Sequence, residues 1–454
     1  MYKRQCHKSS LKPIIITFDP HPFLFFHPKK KGFLIDSMSV RIEKLKKAGF
    51  SDIIILEFDK YLQEMDSKTF LNKHILDAKQ LRLIYLGHDF KLGKGKENSK
   101  ELLRKLASEK NIVIKESPPI LFENTIISSS VIREALLTDI SRVKSFLGEN
   151  FSLNETVIKG KGLGKKELFP TCNITVIPAQ CIPSFGVYLT KVSYNNQEYD
   201  AITNIGINPT ITTEKTTKIE THIFFFENDI YGENIKITFI SKIRDEKKFD
   251  SIKALREQIS LDMEKAKTLH RNMSEVKLAL IGKDISHSKS QEIYEKLLGR
   301  FVNYELIDCV NVHEIPSLED LSKVYRGVSI TSPYKTHFIE QVKLYEKDLP
   351  ILNTLVFESK YMGANTDYLA CQDIIDVYLQ NELTDIHLLG DGSMAMVLER
   401  ILTKKKIQFT QYSRKLGNLE YISDTLSSLK SDEKHLVINS CSREYTFIAH
   451  DSAM

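Results

Sequence analysis

Hydrophobic and polar positions change rhythm twice along this chain. From Pro13 to about residue 147, short apolar runs (Pro13–Phe18, Asp52–Phe58, Leu81–Leu86) alternate with stretches whose apolar residues recur every three or four positions, as in Val40–Ala48 and Val131–Leu147. Short apolar runs suit buried strands and the second spacing gives a helix one apolar face, so the alternation predicts a parallel α/β sheet. Between about 153 and 242, strand-like runs take over (Glu155–Lys159, Gly186–Tyr194, Ile219–Phe226, Asn234–Ile240), broken by turn residues such as Asn195-Asn196 and Tyr231-Gly232-Glu233. That spacing predicts a small antiparallel barrel, closed off by a helix over Ser251–Leu269. After Ser274 the βα alternation returns, with strands expected at Val276–Ile281, Gly327–Thr331, Asp385–Gly390, Ile407–Tyr412 and His435–Asn439. The expected domains are 1–148, 149–270, 275–380 and 381–454.

Composition changes this picture little. A chain of 454 residues with 42% hydrophobic content can bury several cores. Lys+Arg 64 against Asp+Glu 59 leaves a net charge of only +5, and clusters such as Lys29-Lys30-Lys31 read as solvated faces, which argues against a nucleic-acid partner. The six cysteines form no CxxC pair and no zinc spacing, so a reduced, cytoplasmic chain is expected. Apolar runs such as Phe23-Leu24-Phe25-Phe26 fall well short of the roughly 20 residues that span a bilayer. No membrane partner or export leader is expected.

Candidate chemistry concentrates in the middle region. Gly160, Gly162 and Gly164 alternate with Lys161 and precede Lys165, Lys166 and the run Phe169-Pro170-Thr171-Cys172-Asn173-Ile174. Glycines at alternate positions let backbone N–H groups approach an anion, and the lysines add charge, so the loop suits a phosphate. No Gly-Lys-Ser/Thr opens a helix here, which excludes a P-loop. Downstream come Asn204-Ile205-Gly206-Ile207-Asn208-Pro209-Thr210, Ile219-Glu220-Thr221-His222, Asp229-Ile230-Tyr231-Gly232 and Ile243-Arg244-Asp245-Glu246-Lys247-Lys248-Phe249. In this order, the set resembles the riboflavin kinase domain of the bacterial bifunctional flavin-cofactor enzymes over roughly residues 150–270. The resemblance implies that the glycine loop holds ATP, that Thr171 and Asn173 supply oxygen ligands to Mg²⁺, and that Glu220 takes the proton of the riboflavin ribityl hydroxyl as it attacks the γ-phosphate.

Upstream, Thr17-Phe18-Asp19-Pro20-His21-Pro22, Gly87-His88-Asp89-Phe90-Lys91-Leu92-Gly93 and Ile127-Ser128-Ser129-Ser130-Val131-Ile132-Arg133 resemble the FMN adenylyltransferase domain of the same family, a nucleotidyltransferase-like α/β fold. That resemblance makes Ser128, Ser129 and Arg133 ATP-phosphate contacts. The family's Gly-x-Phe-Asp-Gly-x-His-x-Gly-His signature does not precede them in this sequence, so an incomplete FAD synthetase centre and little or no FAD synthesis are expected.

Past residue 275, Ile285-Ser286-His287-Ser288-Lys289-Ser290, Ile330-Thr331-Ser332-Pro333-Tyr334-Lys335, Asn353-Thr354-Leu355-Val356 and Gly363-Ala364-Asn365-Thr366-Asp367 resemble the shikimate dehydrogenase substrate domain. By that resemblance Ser286 and Ser288 bind a carboxylate, Thr331 and Asn353 hold the substrate, and Lys335 with Asp367 flanks the reacting hydroxyl. The following strand ends in Gly390-Asp391-Gly392-Ser393, and Ser413-Arg414 follows the next strand. Gly390, Gly392, Ser393 and Arg414 would seat NADP in a partial Rossmann domain. The strands and helices that normally close that domain are not found in the sequence, so dehydrogenase activity is not expected. The leading reading is therefore a riboflavin kinase with ATP, Mg²⁺, riboflavin and FMN as its small molecules. The alternatives are an NADP-dependent shikimate dehydrogenase and a flavin- or nucleotide-binding protein without turnover.

Overall fold

The structure, a computed structural model, describes residues 11–77, 81–90, 99–159, 169–207, 217–347, 349–358, 360–379, 385–418 and 435–440. It divides into two compact units, Met1–Leu269 and His270–Met454.

In the first unit, strands β1 (Ile14–Asp19) and β2 (Asp52–Glu57) pair in parallel, as do β3 (Leu83–Leu86) and β4 (Val113–Glu116). The parallel sense matches the βα alternation; among the described residues the strands form two separate pairs. The helix Ser99–Glu109 turns Leu103, Leu106 and Ala107 onto Leu71, Leu86 and Ile112 to make a local core. A short hairpin of β5 (Leu121–Phe122) and β6 (Thr125–Ile126) leads into the helix Ser129–Thr138.

The helical pattern expected over Val131–Leu147 is two helices, Ser129–Thr138 and Val143–Leu147. Asp139 separates them, because its carboxylate accepts from the backbone N–H of Ser141 at 3.1 Å and opens a new turn. Ile132, Ala135, Leu136, Ile140, Val143 and Phe146 from this helical segment join the same core as the strands that follow.

Those strands close a barrel in the order β10-β11-β8-β7-β12-β9, from β7 (Ser152–Ile158), β8 (Cys172–Ile174), β9 (Gly186–Tyr194), β10 (Gln197–Ile207), β11 (Thr217–Ile223) and β12 (Asn234–Asp245). Every pairing in it is antiparallel. Alternate residues point inward. Leu153, Val157, Val192, Ile205, Ile219, Ile237 and Phe239 fill the interior. Thr190, Thr203 and Thr221 are buried as well, and their hydroxyls link across three strands at 2.8 and 2.9 Å, so each of the three has a partner.

The helix Ile252–Met273 covers the exterior of β12. Arg244 on the strand and Asp262 on the helix lock the two together, with Arg244 Nε 3.0 and 2.9 Å from the carboxylate oxygens.

The second unit holds a six-stranded mixed sheet, order β14-β13-β15-β17-β18-β16, made of β13 (Lys277–Gly282), β14 (Asn303–Asp308), β15 (Gly327–Ile330), β16 (Lys343–Leu344), β17 (Thr354–Phe357) and β18 (Tyr361–Ala364). A three-stranded parallel sheet follows, with β19 (Asp385–Leu389) between β20 (Thr410–Tyr412) and β21 (His435–Asn439). Leu388, Ala395, Leu398 and Ile401 form its core with the helix Ser393–Lys404.

Candidate active site

The barrel gathers the sequence-marked residues by strand register. Asn173 on β8 is the Cα partner of Glu220 on β11, and Glu220 is in turn the partner of Asn204 on β10. Directly opposed residues share a face of the sheet. A carboxamide, a carboxylate and a second carboxamide therefore stand side by side on the barrel's outer face. Asn173 is only 8% exposed, unlike a solvated strand residue. Thr171, two residues before Asn173, leads into the same strand.

Glu220 has a neighbour of its own. Lys218 Nζ lies 2.5 Å from Glu220 Oε1, from the same strand and the same face. His222, also on that face, bonds the backbone of the Thr171 segment: its Nδ1 donates to the Pro170 carbonyl at 2.7 Å. The carbonyl can only accept, so Nδ1 carries the proton. Burial lowers the His222 pKa, the Pro170 carbonyl works against that, and the Lys267 ammonium lowers it further. The neutral ring's contribution to stability is thus complete above its unfolded value of 6.5 and is lost as pH falls through the lower folded value. We expect His222→Ala to remove this part of the acid sensitivity of folding, which melting temperatures measured as a function of pH check. An unchanged pH dependence would assign that acid sensitivity to other groups.

Between the two oxygen-bearing residues sits Cys172. Burial pushes its thiol up to about 11, so it stays protonated at neutral pH and is no nucleophile. A cleft of about 340 Å³ opens beside Thr171, lined also by Val157, Ile223, Phe226, Asp229 and Tyr231. At the far end of the row, Gly206 leaves room for the Glu246 carboxylate: a Cβ there would lie 2.6 Å from Glu246 Oε1. Gly160, Gly162 and Gly164 lie outside the described residues.

In the N-terminal region, Ser128 caps the helix Ser129–Thr138, its Oγ accepting from Val131 N at 3.4 Å. Arg133 projects from that helix. Its guanidinium donates to the Phe33 carbonyl and to Ser130 Oγ, both at 3.2 Å, and lies 4.7 Å from the centre of the Phe33 ring. His21 packs edge-on to the same ring, with a pKa lowered first by burial and then by Arg41 and Arg133.

In the second unit, Lys335 Nζ and Asp367 Oδ2 are 2.8 Å apart, both partly buried. Asn353 holds the start of the Asp367 helix: its Oδ1 accepts from Thr366 N at 2.9 Å and its Nδ2 donates to Thr366 Oγ1 at 2.9 Å. Thr331 follows β15 and bonds Ile281 O through its backbone N–H. Ser288 precedes the helix Ser290–Leu298 and accepts from Ser290 N at 3.2 Å, while Ser286 is exposed. Gly390 (φ 111°) ends β19, and Gly392 caps the helix that begins at Ser393, with open space where a Cβ would point. Arg414 follows the paired strand β20 at the same end of the sheet.

Comparison with known proteins then sorts these regions. The riboflavin kinase family matches residues 147–270, and the FAD synthetase family matches residues 2–131. The bifunctional riboflavin kinase/FMN adenylyltransferase of Buchnera aphidicola subsp. Acyrthosiphon pisum is 31% identical over 271 residues, which is 58% of this chain and 86% of that protein. The chain belongs to that bifunctional family. The Escherichia coli K12 relative is 27% identical over 257 residues, covering 56% of this chain and 82% of its own. A crystal structure from Streptococcus pneumoniae, of a protein described as a macrolide-efflux protein, superposes with a TM-score of 0.52 at 28% identity, covering 58% of this chain and 86% of that one. The C-terminal region is similar to a chorismate mutase/shikimate 5-dehydrogenase fusion from Clostridium acetobutylicum at 22% identity and a TM-score of 0.32, over 37% of this chain and 68% of that one. So weak a superposition carries no function.

Within the riboflavin kinase barrel, sequence reasoning missed Lys218, His222, Asn204 and Glu246. All four stood inside the quoted motifs or beside them. Lys218 and His222 stand two residues either side of Glu220 on β11, a spacing the sequence does carry; Asn204 comes beside Glu220 through the pairing of β11 with β10, and Glu246 lies over Gly206 of β10, which the one-dimensional pattern does not carry. Among the described residues, no helix is long and apolar enough to cross a membrane.

Proposed function

We propose that the face carrying Asn173, Glu220 and Asn204 is the riboflavin kinase centre, where the γ-phosphate of ATP passes to the ribityl 5′-hydroxyl to make FMN. The register that sets a carboxylate between two carboxamides, next to Thr171, supports this most directly. Glu220 accepts the hydroxyl proton while the hydroxyl oxygen bonds the phosphorus and the bond from phosphorus to the ADP oxygen breaks. Thr171 and Asn173 offer neutral oxygen donors, which fit Mg²⁺ and not a soft metal. When bound, Mg²⁺ draws charge from the phosphates. The cleft beside Thr171, apolar on its Val157, Ile223 and Phe226 walls, fits the flat base of the nucleotide. Arg133, Ser128 and Ser129 are the candidate phosphate contacts of the adenylyltransferase region.

The test is a chromatographic assay with riboflavin, ATP and Mg²⁺ that resolves FMN from FAD. FMN is expected, and its loss on chelation of Mg²⁺. Tight FMN or ADP binding by a folded chain without turnover would overturn the kinase reading in favour of a binding protein.

A second reading concerns the C-terminal unit alone. The 2.8 Å Lys335–Asp367 contact is a pair that can pass a proton at a reacting hydroxyl, and Gly390, Gly392, Ser393 and Arg414 share one end of a parallel sheet, an arrangement that fits NADP. NADPH formation with shikimate tests it. An unchanged NADPH signal would leave Lys335–Asp367 as an ion pair.

A further inference from the structure

Residues two apart on a strand share a face, so Lys218, Glu220 and His222 form one stripe along β11. Glu220 has the proton to take and His222 has Pro170 to hold, and Lys218 has had no task. Its ammonium lies 2.5 Å from Glu220 Oε1, with side-chain exposures of 38% for Lys218 and 28% for Glu220. Its register partner is Gly206, the residue over which the Glu246 carboxylate closes. Negative charge thus accumulates on this patch before any substrate arrives, and the proposed substrate is a polyanion. A carboxylate base next to a triphosphate is repelled by it, and a cation in contact with that base offsets the repulsion.

We propose that Lys218 is a positioning residue for phosphoryl transfer. It holds the Glu220 carboxylate in place for the ribityl proton through the contact at Oε1 and balances the carboxylate charge against ATP. Lys218 keeps its own protons throughout; the transferred proton ends on Glu220 and ADP leaves with the bonding electron pair. This rests on the kinase reading above.

Three purified full-length chains test it: wild type, Lys218→Met, which keeps length and removes charge, and Lys218→Arg. We expect kcat for FMN formation to fall about 10- to 100-fold in Lys218→Met, with the KM for riboflavin unchanged. Lys218→Arg should recover most of the rate. In a Glu220→Gln background, Lys218→Met should cost nothing further, since the two act as a unit. Wild-type kcat in Lys218→Met, or an effect confined to the KM for ATP, would overturn the proposal while the kinase reading stands. No FMN from the wild-type chain would sink the kinase reading and this proposal with it. The position is partly exposed and on the barrel's outer face, so melting curves of the three chains should coincide.

Discussion

Glu220→Gln is expected to slow FMN formation by about 10²- to 10⁴-fold, the usual worth of a positioned general base. The substitution keeps the shape of the side chain and one of its oxygens, so the row of three on β8, β11 and β10 persists. What it removes is the capacity to hold a proton at pH 7. The loss should therefore fall on kcat, with the KM values for riboflavin and ATP nearly unchanged, because hydroxyl ionisation matters in the transition state and not in substrate binding. Steady-state assays of FMN formation read this directly. A rate within a few-fold of wild type would assign the base elsewhere, and Glu246, the other carboxylate near the row, would be the next substitution.

How much of this was legible in sequence depended on what each strand buries. Gly186–Tyr194 was read with its observed bounds, since an apolar β-branched and aromatic run leaves little choice. The sequence pattern does not mark its partner Gln197–Ile207 as a strand, although Gln197–Ile205 pairs with β9. The reason is chemical: Thr203 points inward and is fully buried, bonded to Thr190 and Thr221, while Asn204 and Gly206 face out toward Glu220 and Lys218. An inward threonine looks polar, so the period-two signal fades exactly where the site is built, at the strand that carries Asn204. The helix pattern over Val131–Leu147 erred the other way, because periodicity runs straight through Asp139 and only its cap reveals the break. Glu220, Thr171 and Asn173 could be named by motif, yet their adjacency is a matter of cross-strand register between segments some fifty residues apart, which no local pattern encodes.

The motif Ile243-Arg244-Asp245-Glu246 contains a second consequence, this one for stability. Asp262→Ala should destabilise the barrel unit by about 3–5 kcal/mol, the cost of stranding one member of a buried ion pair. Asp262 is 5% exposed. Its two oxygens share a bifurcated bond from Arg244 Nε–H, and it takes a further contact from Arg244 Nη2 at 2.8 Å and a bond from Gln258 Nε2 at 2.9 Å. Removing the carboxylate leaves the Arg244 charge, whose side chain is 16% exposed, without the carboxylate that its Nε and Nη2 donate to, while Nη1 keeps its bond to the Asp245 carbonyl. The helix Ile252–Met273 is also held by Lys265 Nζ donating to Ile243 O at 3.1 Å, so it should stay docked, but on a weakened seat. For a unit of this size the loss corresponds to a melting point lower by roughly 10 °C. Thermal denaturation followed by the barrel's tyrosine signal measures it, because the chain contains no tryptophan and Tyr188 lies in the barrel core. The double variant Arg244→Met/Asp262→Leu separates the two contributions to that number. If it recovers most of the loss, the penalty belongs to the orphaned charge and an apolar pair serves the seat as well; if it does not, the fork of bonds between Arg244 and Asp262 is itself what holds the helix to β12.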